Sequence, residues 1–77
     1  MVSRKLFRTI DELQTVQFLA TKCEADVGLH SAEGNVIVDA KSYIGMYALD
    51  FKKPIDVVSD DEAFHEKIRD IGENIAL

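Results

Sequence analysis

Residues 25–41, ADVGLHSAEGNVIVDAK, predict the centre of the fold. In the first half, Val27 and Leu29 alternate with polar neighbours, which is the pattern of a strand buried on one face. Residues 32–34, AEG, form a turn signal because they end in glycine. The run that follows carries its apolar residues on one face as well: Val36, Val38 and Ala40. This segment therefore predicts a β-hairpin with one apolar face, which other elements must cover.

Two helix starts flank this hairpin, and each fits the capping-box pattern of a hydroxyl residue followed three positions later by glutamate. They are TIDE at residues 9–12 and SDDE at residues 59–62. Apolar residues recur at helical spacing after each start, so we predict two amphipathic helices. The first stripe is Ile10, Leu13, Val16, Ala20 and Cys23, and the second is Phe64, Ile68, Ile71 and Ile75.

The remaining apolar segments complete the predicted topology. Residues 3–8 predict an edge strand, and residues 54–59 a further strand with Ile55 and Val57 facing inward and a proline at its start. Residues 42–49 predict a short helix. The order is βαββαβα, so we expect one α+β domain over residues 1–77. In it, a four-stranded antiparallel sheet is covered on one face by helices, as an open-faced sandwich.

Composition narrows the classes of function. The chain has 77 residues, of which 47% are hydrophobic and 30% charged, which is typical of one small folded domain. Its net charge of −5 disfavours binding to nucleic acid, because phosphate contacts require a basic surface. No signal peptide and no run of about 20 apolar residues is visible, so we expect a cytoplasmic protein without membrane insertion.

The residues capable of chemistry do not form a catalytic pattern. His30 lies on the polar face of a predicted strand, and His65 points away from the second helical stripe, so both are expected to be solvated. Cys23 is a single cysteine on an apolar helix face, which favours a small buried hydrophobe over a nucleophile. No metal-ligand spacing and no phosphate-binding loop is present. We therefore expect neither an enzyme nor a cofactor or metal.

Two segments carry a resemblance to a known family. KCEADVGL at residues 22–29 and KSYIGMYAL at residues 41–49 resemble the HPr family, the small histidine phosphocarriers of the bacterial sugar phosphotransferase system. The second segment has the family's Lys-Ser pair followed by an apolar helix with a glycine. The resemblance implies the same open-faced sandwich, and it covers the chain from about Val16 onward.

The chain departs from the family where the phosphorylated histidine is expected. Family members carry a Gly-x-His-x-Arg-Pro segment at the start of the first helix. Here Thr9 falls in the place of the histidine, Asp11 in that of the arginine and Glu12 in that of the proline. A carboxylate repels a phosphoryl group that an arginine would bind. We therefore expect no histidine phosphocarrier activity, and a carrier acting through another acceptor, such as Thr9 or His30, is the alternative.

Ser42 matches a second site of the family, which implies phosphorylation by an ATP-dependent serine kinase and binding to a transcriptional regulator. This pattern is similar to catabolite-repression HPr, a branch that lacks the histidine and keeps the serine. The alternative is an unmodified helix cap. Protein partners of the HPr type are implied, namely that kinase, a regulator or phosphotransferase components. The expected contact surface is Phe18, Lys41, Tyr43, Ile44 and Tyr47, and the alternative for Phe18 is a core position beneath the short helix.

A homodimer is also predicted. The first strand runs almost directly into the helix that begins after Thr9, so the strand is expected to exchange with a second copy rather than fold back. A third alternative for the function is therefore a structural or dimeric interaction module.

Overall fold

A mixed set of helices and strands forms two layers in the computed structural model. The structure describes residues 1–42 and 45–77, without the side chains of residues 46 and 47. Within them the order is β1 (Val2–Leu6), α1 (Ile10–Thr21), β2 (Gly28–Ser31), β3 (Ile37–Asp39), a 3₁₀ helix (Gly45–Ala48), β4 (Ile55–Val58), α2 (Glu62–Lys67) and β5 (Glu73–Asn74). The predicted α+β class is confirmed.

The sheet of the described residues has five antiparallel strands in the order β3-β2-β4-β1-β5, so the predicted four-stranded sheet was wrong. β1 pairs with β4 on one side, where Arg4 lies opposite Asp56, and with β5 on the other. The prediction of β1 as an edge strand was therefore wrong as well. β2 pairs with both β3 and β4, which places the predicted hairpin beside the central strand.

The fifth strand occupies part of the segment predicted as the end of the last helix. α2 ends at Lys67, and the chain then turns through Gly72, whose φ of +73° favours a residue without a Cβ. Ile75 N–H donates to Arg4 O at 2.9 Å, so the chain continues along β1. The apolar residues after Ile68 therefore lie in a turn and beside a strand, because backbone hydrogen bonds with β1 replace those of a longer helix.

The two predicted helix caps differ in outcome. Thr9 is the N-cap of α1, and its hydroxyl accepts the Glu12 N–H at 3.3 Å, as the TIDE pattern predicted. The cap of α2 is Asp61, whose carboxylate accepts the Phe64 N–H at 3.2 Å. Ser59 is buried instead, and its hydroxyl accepts the Asp61 N–H. The prediction of Ser59 as a cap was wrong because Asp61 stands closer to the first helical turn.

One apolar core lies between the helices and the inner face of the sheet, the face that contacts the helices. Both helices and several strands contribute buried side chains to it, including Leu13, Val16, Ala20, Leu29, Ile55, Val57, Phe64 and Ile68. Ser3 and Lys5 also point to this face, because their side chains contact the segment that contains α2 and the turn after it. The remaining side chains of β1 therefore lie on the opposite, outer face.

β1 folds back onto its own chain, although only Phe7, Arg8 and Thr9 separate it from α1. Phe7 is buried in the core, so this short connection is anchored. The argument for strand exchange thereby loses its premise, because β1 already pairs with β4 and β5 of the same chain. Dimerisation itself stays a prediction.

Candidate functional site

Ser42 lies on an exposed turn between β3 and the 3₁₀ helix. Its Oγ accepts the Gly45 N–H at 3.2 Å, and its own N–H donates to Asp39 O at 2.9 Å. The Asp39 carboxylate in turn accepts the Lys41 N–H at 2.9 Å. A Cβ at position 45 would lie 3.0 Å from Ser42 Oγ, so the glycine allows this close approach. Ser42 thus acts as a local cap, and its hydroxyl remains at the surface.

The end of α1 lies beside this turn. The buried Gln17 directs its Nε2 toward Lys41 O at 3.5 Å, which joins α1 to the residue before Ser42. Phe18 is 57% exposed, and Lys22 Nζ lies 5.1 Å from the centre of its ring. We call Phe18, Lys22, Lys41 and Ser42 the α1–turn surface.

The structure describes only part of the predicted contact surface. Tyr43 and Ile44 lie outside the described residues, and so does the side chain of Tyr47. Lys41 is half-buried, and its carbonyl lies beside Gln17 of α1, one residue before Phe18. The structure therefore brings Phe18, Lys41 and Ser42 to one region.

The polar side chains at the start of α1 cap the helix and join it to another segment. Thr9 and Asp11 are exposed, and the Thr9 hydroxyl is engaged in the cap. The Glu12 carboxylate accepts the Arg8 N–H at 2.6 Å through Oε1 and the Gly72 N–H at 3.1 Å through Oε2. These hydrogen bonds, that of Arg8 first, lower the pKa of Glu12. Glu12 therefore joins the start of α1 to the turn before β5.

His65 is buried, so the prediction of a solvated residue was wrong. Its Nε2 lies 2.9 Å from Ser59 O, and because a carbonyl only accepts, this nitrogen carries the proton. In the neutral ring, Nδ1 then accepts the hydroxyl proton of Ser3, whose Oγ is 2.6 Å away. His65 thereby fastens α2 to β1. Helical periodicity missed it because both partners come from outside the helix.

His30 lies half-buried on the outer face of β2, between Ile37 and Asp56 of the neighbouring strands. Its ring covers Gly28, where an added Cβ would lie 3.0 Å from Nε2. The predicted polar face is thus only partly solvated at His30.

Cys23 is half-buried rather than a core residue, and its Sγ donates to Asp61 Oδ2 at 3.0 Å. This hydrogen bond and burial raise the pKa of the thiol, while the same bond lowers the pKa of Asp61. Because the thiolate is the nucleophilic form, the arrangement opposes thiol reactivity. The bond joins the end of α1 to the cap of α2.

Lys5 is 1% exposed, and no pattern in the sequence indicated that it is buried. Its ammonium donates to Asn74 Oδ1 at 2.7 Å, to Ile71 O at 2.9 Å and to Arg69 O at 3.3 Å. Burial lowers the pKa of this amine. Arg69 and Ile71 lie in the turn between α2 and β5, and Asn74 lies in β5, so Lys5 holds this segment against β1.

The described residues show little else that points to chemistry. Among them no three His, Cys, Asp or Glu side chains are grouped to hold a metal ion. None of the helices within residues 1–42 and 45–77 is both long and apolar enough to cross a membrane. A half-open depression of about 240 Å³ lies beside the hairpin turn, over Val36, Leu49 and Ile55, with the Lys53–Glu33 ion pair at its edge. Of the predicted site residues whose side chains the structure describes, namely Phe18, Lys41 and Ser42, none lines this depression.

No protein-family model, curated protein or solved structure shows a significant similarity to this chain. A function of the HPr type, which the resemblance of residues 22–29 and 41–49 implies, is therefore a proposal.

Proposed function

We propose that this chain is a non-catalytic regulatory or docking protein of the HPr type, switched by phosphorylation of Ser42. The observation that carries the proposal is that the exposed Ser42 follows Lys41 on a turn that contacts α1, the helix that also carries the exposed aromatic residue Phe18. An accessible hydroxyl beside an apolar contact residue is an arrangement in which one modification alters docking.

The hydrogen bonding of Ser42 is compatible with phosphoryl transfer. Its Oγ accepts the Gly45 N–H through a lone pair, so this bond does not engage the hydroxyl proton. The turn from Asp39 holds the backbone of Ser42 in place through the 2.9 Å bond to Asp39 O. A kinase would therefore meet an exposed hydroxyl on a positioned backbone.

A phosphate on Ser42 would change the charge of the α1–turn surface. It adds about −1.5 to −2 charges at neutral pH. Lys41 and Lys22 offer positive charges on this surface, whereas Asp39 opposes the added charge. Because Phe18 is exposed in the same region, the modification would favour partners that combine an apolar contact with basic groups.

The order of elements adds support. The described chain follows strand, helix, strand, strand, short helix, strand, helix, which is the order that the resemblance implies, and β5 follows as an addition. The histidine place of the family falls on the Thr9 cap, and Asp11 and Glu12 surround it with carboxylates. No observation favours a carrier acting through Thr9 or His30.

The test follows phosphate incorporation by intact mass in two reactions. One contains ATP and a serine kinase of the HPr type, and the other phosphoenolpyruvate, enzyme I and the general carrier. We expect a single phosphate in the first reaction only. Ser42→Ala should abolish it, whereas Thr15→Ala, which removes another exposed hydroxyl, should not.

Two outcomes would contradict the proposal. Phosphate gained in the phosphoenolpyruvate reaction would indicate a carrier, and peptide mapping would then identify its acceptor. Absence of phosphate in both reactions, with each variant folded by circular dichroism, would leave an interaction module without a serine switch.

A further inference from the structure

The outer face of the sheet forms a second apolar surface that does not belong to the core. Alternation along β1 places Val2, Arg4 and Leu6 on this face, opposite Ser3 and Lys5. The strand registers add residues of the neighbouring strands, namely Val58, Asp56, Gly28, His30, Ile37, Asp39 and Glu73. Val2 is 41% and Ile37 67% exposed. The described helices pack on the inner face, so this outer face has no described cover.

An ion pair lies at the centre of the outer face. Arg4 Nε donates to Asp56 Oδ1 at 2.7 Å, and Arg4 Nη2 donates to Asp56 Oδ2 at 3.0 Å. The two side chains are 27% and 16% exposed, so the pair is partly desolvated. In a chain of net charge −5, this centre is neutral. Val2 and Val58 lie on one side of the pair, and Leu6 on the other.

We propose that the outer face binds a second copy of this chain, with the two sheets packed face to face. The two-fold axis would lie in the interface, parallel to the strands and between β1 and β4. Arg4 of one copy then lies opposite Asp56 of the second copy, and Val2 opposite Val58. An axis across the strands would instead place Arg4 on Arg4, so the charges select the first arrangement.

Charge and size both fit a second copy. On the two strands beside the axis, the neutral ion pair has apolar neighbours and brings no like charges together, and the carboxylates of this face, Asp39 and Glu73, lie on the outer strands β3 and β5. The extents of the molecule are 27 × 26 × 22 Å. The accessible surface is 4686 Å², so a standard interface of roughly 800 Å² per partner would cover about one sixth of it. We therefore expect a dimer populated by about 100 µM, in the weaker part of the range for such interfaces.

Charge reversal in two separate chains tests the pairing between copies. Arg4→Asp alone and Asp56→Arg alone should each be monomeric in sedimentation velocity, since each places like charges against like charges. An equimolar mixture should dimerise, because the carboxylates of one variant then face the guanidinium groups of the other. An ion pair that acts only within one chain predicts no rescue by mixing.

The outcomes are decisive in each direction. The inference is overturned if the natural chain stays monomeric over the concentration series, if either variant dimerises alone, or if two folded variants fail to associate when mixed. Should the charge variants not fold, Val2→Glu replaces them. It should weaken the dimer at least tenfold, and unchanged association would overturn the inference. Thr15→Glu, which introduces the same charge at an exposed position of α1 in the opposite layer, is the matched control and should dimerise normally.

Discussion

Replacement of Lys5 by methionine tests the strongest tertiary inference about this fold. The substitution keeps the length and apolar stem of the side chain but removes an ammonium that donates to Asn74 Oδ1, Ile71 O and Arg69 O. Arg69 O retains a second donor, the Asn74 side-chain amide at 3.0 Å, whereas Ile71 O loses the lysine donor. The damage is therefore concentrated in the turn between α2 and β5.

The magnitude follows from these contacts. A hydrogen bond to a charged group contributes about 1.5–3 kcal/mol, and a buried acceptor left unpaired costs about 1–3 kcal/mol. Removal of the buried charge returns part of this free energy, since burial disfavours the ammonium and lowers its pKa. We expect a net loss of about 2–4 kcal/mol in the free energy of unfolding.

Urea unfolding measures this loss. A decrease of about 2–4 kcal/mol moves the midpoint down by about 2–3 M at the shallow slope of a small domain. The matched control is Lys53→Met, which removes an exposed amine paired with Glu33 at 3.3 Å and should cost less than about 0.5 kcal/mol. Hydrogen exchange of the Ile75 N–H, which donates to Arg4 O, should accelerate in Lys5→Met.

The reasoning would be refuted by a Lys5→Met protein as stable as the natural chain, or more stable. That result would mean that a buried apolar side chain serves this site as well as the ammonium does. Equal losses in Lys5→Met and Lys53→Met would also contradict it, because burial would then have no effect.

Three further predictions concern the other long-range contacts. His65→Phe should cost about 1–3 kcal/mol in thermal or urea unfolding, because Ser59 O and the Ser3 hydroxyl lose their partner; a neutral result would show that the ring is held by packing alone. Gly72→Ala should cost more than Gly34→Ala: both have positive φ, but only at Gly72 does an added Cβ meet Phe7, at 3.1 Å. Equal urea midpoints would refute that clash. The pKa of Glu12 is lowered in the folded chain, so its ionised carboxylate stabilises the fold at pH values above its ordinary pKa of 4.5. This contribution is lost as the pH falls through the folded pKa. Glu12→Gln should therefore be less stable than the natural chain at neutral pH and converge with it in acid, and a difference that is constant with pH would contradict the assignment.

The elements that were predicted correctly rest on local patterns. The alternation around Val27 and Leu29, the Thr9 cap and the apolar stripe of α1 each involve residues within about one or two turns of each other, so the sequence displays them directly. For Phe18, which falls outside this stripe, the sequence left exposure and burial open, and in the structure its side chain is exposed. Ser42 as a cap was one of two interpretations, and the Gly45 N–H supports that geometry without testing phosphorylation.

The elements that were missed depend on partners far along the chain. β5 exists because Ile75 pairs with Arg4, and the buried places of Lys5 and His65 exist because Asn74 and Ser3 lie beside them. These contacts join residues more than 60 positions apart. The sequence by itself determined the α+β class, the hairpin and the first helix, because hydrophobic periodicity and capping are local. Only the tertiary structure decided the fifth strand, the central place of β1 and the polar contacts in the core, because a hydrogen bond is defined by which groups the folded chain brings together.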